Sequence, residues 1–147
     1  MKIAIGADHA GFQAKKRLAD FLRRKKHQVW DAGTTDEASV DYPDYARMVA
    51  QRVAKGAARR GVLICGTGIG MCISANKVKG VRAAAVWSTA TARLAAEHND
   101  ANILCLSARL FKSAALAAML EAWLTTPFGG GRHARRIRKI KAMEAGR

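Results

Sequence analysis

Three stretches of the 147-residue chain bring together side chains able to move protons or attack electrophiles: Gly6-Ala7-Asp8-His9, Cys65-Gly66-Thr67-Gly68-Ile69-Gly70 and Glu97-His98-Asn99-Asp100. A thiol, a hydroxyl, carboxylates and imidazoles are the usual groups of acid–base and nucleophilic catalysis near neutral pH. The run Gly66–Gly70 reads as an anion cradle. Small residues entering a helix leave backbone N–H groups free for a phosphate, or for an oxyanion formed during reaction. It is not a dinucleotide fingerprint, which needs glycine where Met71 stands, nor a Walker A loop, because no Gly-Lys-Ser/Thr follows. Asp31 superficially suits a ribose-binding acid, but without that fingerprint it reads as a turn residue.

Cys65, at the mouth of this loop, has two readings: a small buried apolar residue ending a strand, or a thiolate favoured by the helix start. Cys72 and Cys105 fall at positions expected to pack in the core, and no Cys/His pair has the spacing of a metal site. His9 and His98 are either proton carriers or packed rings, whereas His27 lies in an exposed basic stretch. Arg132 and Arg136 lie four apart, on one face of a helix, a spacing that suits a phosphate clamp, with a solvated charged face as the alternative.

The elements that must position these residues alternate strand with helix. Lys2–Ala7, 29–31, Gly61–Cys65, Val81–Trp87 and Ile103–Leu106 are expected strands. Between them fall helical stripes: Phe12, Leu18, Phe21 and Leu22; Ala46, Val49, Ala50 and Val53 behind Pro43; a short helix ending at Asn76; one capped by Ser88 or Thr89. A further helix, with Ser113 as its cap, carries Leu116, Met119, Leu120 and Trp123. Five such units predict a parallel sheet with helices on both faces, whose ligands lie beyond the carboxyl ends of the strands. The chemically capable residues, Glu97–Asp100 included, are expected along that edge.

Length predicts a single domain, 1–127, with Thr125–Gly131 leading into a basic helical arm, 128–147. Half of the residues are hydrophobic and two are proline, which excludes disordered and fibrous classes. No apolar run reaches membrane-span length, and no signal-peptide pattern opens the sequence. Three cysteines fit reduced thiols in a cytoplasm better than a disulfide framework. The net charge of +15 is concentrated in Lys15–Lys26 and Arg132–Arg147. Interleaved aromatics of a nucleic-acid platform are missing there, so solvated helix faces or a small anionic ligand are the better readings. A polyanion-binding module remains the rival of another class.

Gly6-Ala7-Asp8-His9-Ala10-Gly11-Phe12, Asp41-Tyr42-Pro43, Cys65–Gly70, Ala75-Asn76-Lys77, Glu97-His98-Asn99 and Gly131-Arg132-His133-x-x-Arg136 occur in order. From Met1 to about Ile140 this set resembles the B-type ribose-5-phosphate isomerases of the ribose/galactose isomerase family. The resemblance implies a Rossmann-like three-layer α/β/α sandwich around a five-stranded parallel sheet. It also implies interconversion of ribose 5-phosphate and ribulose 5-phosphate through an enediolate, without metal or other cofactor. The assembly implied is a homodimer or higher homo-oligomer with shared active sites, the arm reaching a partner subunit. Cys65 is then the base and His98 opens the sugar ring, while Thr67 shuttles the hydroxyl proton. Asp8, His9, Asn99 and Arg109 contact substrate, and backbone N–H groups of Gly66, Thr67, Gly68, Ile69 and Gly70 hold the enediolate. Arg132 and Arg136 bind phosphate. One branch of the family places a glutamate where this chain has Met71 and lacks the cysteine, so Cys65 puts the chain in the other branch. Ser107-Ala108-Arg109 departs from the Gly-x-Arg common among relatives. Isomerases of galactose 6-phosphate, allose 6-phosphate or an erythrulose phosphate share these motifs. The galactose enzymes divide the site residues between two unlike subunits, whereas this chain carries the whole set.

Overall fold

A run such as Ile3-Ala4-Ile5 offers no polar face, so it is stable only where both sides are covered. The computed structural model describes residues 1–144 and gives this run that place. Strands β1 (Lys2–Ala7), β2 (Gln28–Asp31), β3 (Arg60–Cys65), β4 (Ala83–Ala85) and β5 (Ile103–Ser107) form one sheet. The order is β2-β1-β3-β5-β4, and every pairing is parallel. The three inner strands are buried almost throughout, and the two edge strands are half-exposed.

Side chains alternate between two cores, as the two-residue period of a strand requires. Ile3, Ile5, Val62, Ile64, Leu104 and Leu106 point to one face, where Leu18 and Leu22 of α1 (Phe12–Arg24), Ala92 of α4 (Thr89–Glu97) and Trp123 of α5 (Ser113–Thr125) pack. Ala4, Leu63, Cys65, Ile103 and Cys105 point to the other, against Val49 of α2 (Tyr42–Ala54) and Met71 of α3 (Ile69–Ala75). The three-layer sandwich is therefore the expected one.

Several boundaries differ from the sequence expectation. Strand β4 is shorter than 81–87: Val81 closes a turn onto Val78, and the Asn76 amide covers the outer edge of the strand at Ala83, donating to its carbonyl and accepting from its N–H. Of the two caps expected for α4, Ser88 is the one used, through a reciprocal pair with Thr91. Ser113 is not a cap: Lys112 holds that position, and the Ser113 hydroxyl accepts from Arg17 instead. Gly131, expected as a breaker, is the first residue of α6 (Gly131–Met143). Ile69 and Gly70, expected in the loop, belong to α3.

The Lys15–Lys26 stretch is not uniformly solvated. Lys15 is buried and bonded to Asp31, whose carboxylate also accepts from the Gly33 N–H. Asp31 thus holds a turn and a lysine, as a structural residue would. Among the described residues, no helix is long and apolar enough to cross a membrane.

Candidate active site

Cys65 ends β3 with its side chain on the α3 face, buried at the floor of a cavity of about 440 Å³. The cavity opens beyond the carboxyl ends of the strands, as in other parallel sheets. Its lining includes Asp8, His9, Tyr42, Gly66, Thr67, Ile69, Gly70, Ile73 and Arg109. The chain can turn from β3 into α3 so tightly because Gly68 sits at φ +80, a left-handed conformation that L side chains rarely adopt. A Cβ there would lie 3.1 Å from the Leu106 backbone. The turn directs the Gly68 N–H at the Cys65 sulfur, to which it donates over 3.0 Å. At Gly70 a Cβ would strike the Tyr42 ring at 2.6 Å, so glycine there lets that ring form a cavity wall.

Asp8 is buried and holds the turn after β1, its Oδ1 accepting from the Gly11 N–H. His9 follows it, and its Nδ1 accepts from the Val40 N–H, which leaves Nε2 of a neutral ring to carry the proton. The departure at 107–109 proves to be a support. The Ser107 hydroxyl donates to the Gly66 carbonyl at 2.7 Å and accepts from the Leu110 N–H, while the amides of Ala108 and Arg109 donate to the carbonyls of Cys65 and Gly66. The Arg109 side chain then lies over Gly66, close enough that a Cβ on Gly66 would sit 3.2 Å from it.

The remaining expected site residues are elsewhere. Helix α4 runs back along the sheet, so its C-terminal residues, His98 and Asn99, lie at the amino edge and not with Cys65. The carbonyls of Asn99 and Asp100 accept from Arg82 just before β4, and Asn102 bonds to Gly61 at the start of β3. The six residues of β3 separate the edges by about 20 Å at ~3.3 Å per residue. The expectation of a single edge is thus corrected: the helix returns the chain to where the next parallel strand must begin.

Helix α6 lies at that same amino edge. Gly129 donates to the Glu97 carbonyl, Ile137 is buried, and the Glu144 carboxylate accepts from the Gly80 N–H. Arg132 and Arg136 are exposed on it, neither in an ion pair among the described residues. The His133 ring stacks on that of His98, centroids 4.2 Å apart and planes 11° from parallel. Burial lowers the His133 pKa, with His98, Arg132 and Arg136 adding to the effect and Glu97 opposing it.

Sequence reasoning marked Ser107 only as a departure, and it missed Ile73 and the stacking of His133 as parts of these sites. Tyr42 was present only as part of a motif. Cys72 packs against the core as expected, but less deeply than Cys105. It is half-buried, donates to the Ala83 carbonyl, and has its pKa lowered to about 7, chiefly by hydrogen bonding with Cys105. Among the described residues, no group of three or more His, Cys, Asp or Glu could hold a metal ion.

A parallel α/β sandwich, a glycine-lined cavity beyond its strands and a thiol bonded to the loop amide define a Rossmann-like protein built to handle a small ligand at the carboxyl edge of its sheet. The profile of the ribose/galactose isomerase family matches residues 3–140, and the chain belongs to that family. A ribose-5-phosphate isomerase B from Clostridium thermocellum is 46% identical, with each chain 99% covered and a TM-score of 0.98. The Thermotoga maritima enzyme is 49% identical, covering 96% of this chain and 97% of that one, with a TM-score of 0.93. The enzyme from Mycoplasma genitalium, solved with bound ribulose 5-phosphate, is 45% identical at 98% and 96% coverage, with a TM-score of 0.95.

Proposed function

We propose that this chain interconverts ribose 5-phosphate and ribulose 5-phosphate, as a homodimer or higher homo-oligomer in the cytoplasm. In this assembly the Cys65 cavity of one copy is completed by His98, Asn99, Arg132 and Arg136 of another. The carrying observation is that each half-site is chemically incomplete and the two lie at opposite edges of one sheet. No hinge within a sheet can bring its edges together, whereas a second copy can. The apolar surface supports this. Ile69 and Ile73, 58% and 57% exposed, flank the cavity mouth, and Ile140 and Met143 are exposed on α6. A compact protein gains by covering such side chains. The bound ribulose 5-phosphate in the Mycoplasma genitalium relative supports the substrate. Reduced thiols suit the proposed compartment: all three cysteines are free.

On this reading the steps divide among the residues. Arg132 and Arg136 of the second copy grip the phosphate, a remote interaction that holds C1 and C2 against the base, and Arg109 contacts the substrate from its place over Gly66. His98 opens the furanose. The Cys65 thiolate takes the proton from C2 and returns it to C1, while Thr67 passes the hydroxyl proton between O1 and O2. Amides of Gly66–Gly70 stabilise the enediolate, a role typically worth ~3–4 kcal/mol per donor. The route uses side chains and backbone amides alone.

The test is complementation. Cys65→Ala and Arg132→Ala chains are each expected to be inactive on ribose 5-phosphate, and mixing them under confirmed subunit exchange should restore activity, because a mixed dimer has one intact site. Absence of recovery shows that Arg132 serves its own chain.

A further inference from the structure

The stack of His133 on His98 joins two elements that enter the amino edge from different directions. His98 closes the C-terminus of α4 and is half-exposed, while His133 lies in the first turn of α6 and is buried. The junction is fixed on both sides. Gly129 donates to the Glu97 carbonyl beside His98, and the His133 N–H donates to Gly130. One turn further on, Ile137 is buried and anchors the same helix face. One face of the His98 imidazole is therefore covered by a parallel ring, and its edge remains open.

An imidazole turns readily about its terminal torsion unless packing stops it. A group that opens a furanose must hold a ring nitrogen at the sugar oxygens, because a misplacement of about 1 Å can cost ~100-fold. We propose that His133 is a positioning residue for ring opening: its ring fixes the plane of His98 and so aims the nitrogen that exchanges the proton. The proposal rests on the reading of His98 given above. In that step the C1–O4 bond breaks, O4 gains a proton and O1 loses one, with no change of oxidation state. The His133 ring contributes its flat face and takes no proton from the sugar.

Sugar chemistry separates this role from every other. Ribose 5-phosphate is mainly a closed furanose, whereas ribulose 5-phosphate cannot close one, because its C5 oxygen carries the phosphate. Exchange of the C1 proton of ribulose 5-phosphate with solvent deuterium therefore needs Cys65, the enediolate cradle and the phosphate clamp, but no ring opening. For His133→Ala, turnover of ribose 5-phosphate should fall by about 10- to 100-fold. Deuterium wash-in, followed by NMR, should stay within about twofold of wild type. His133→Phe keeps a flat ring over His98 and should restore ribose 5-phosphate turnover to within about threefold of wild type. Equal loss of both reactions in His133→Ala overturns the proposal and assigns the ring to the clamp or the fold. Unchanged turnover, or a Phe variant as impaired as Ala, also overturns it. Wild-type protein that performs neither reaction overturns the proposed function itself, a result distinct from the others.

Discussion

At the scale of single residues, the cavity is organised around one sulfur. Cys65 is buried, yet the Gly68 amide donates to it and Asp8, His9 and Thr67 line the same space. If it is the base, Cys65→Ala removes the proton carrier and leaves the phosphate contacts whole. Turnover should fall by about 100-fold or more while substrate still binds, as kcat and isothermal titration would show. Retained turnover would reassign the base. Cys65 was legible in sequence because a thiol before a glycine loop is an unusual juxtaposition. The Ser107 hydroxyl was not. The departure at Ser107 could be seen in the sequence but its role could not, because that role arises from a carbonyl 41 residues earlier in the chain.

At the scale of elements, the decisive joint is the turn from β3 into α3. Every function proposed for the loop depends on N–H directions that a left-handed Gly68 sets. Gly68→Ala places a side chain on a φ of +80 and against the Leu106 backbone, which should cost roughly 1–2 kcal/mol of stability. Because the same amide meets Cys65, kcat should fall as well, and denaturation curves read beside kinetics separate the two effects. Most elements could be read from periodicity, including the cap at Ser88. The short β4 could not, because its apolar run continues past both ends of the pairing with β5, and the Asn76 side chain that covers its outer edge at Ala83 is set by the fold. Nor could the start of α6 at Gly131, since glycine's effect on a helix depends on what precedes it.

At the scale of the whole molecule, charge is divided by position. Lys15 is consumed inside the fold by Asp31, and Lys25 pairs with Glu121. Arg132 and Arg136 stay exposed on α6, where a second copy's cavity can meet them. With a net charge of +15, a sugar-phosphate dianion should be drawn in from a distance. Raising ionic strength from about 0.01 to about 0.15 M shortens the Debye length from about 30 to about 8 Å. Over that range kcat/KM should fall several-fold, mainly through KM. A flat profile would show that the exposed charge does not steer substrate.

The amino-acid sequence by itself determined the layered parallel fold, the family and the list of chemically capable residues, because strand and helix periods and ordered motifs are local patterns. It did not determine which of those residues share a site. Cys65 and His98 both follow strand–helix signals, yet one ends a strand and the other ends a helix, and in a parallel sheet those two kinds of terminus lie on opposite edges. Only the tertiary structure separated them, since that separation is a property of how the chain returns between strands and not of any residue along it.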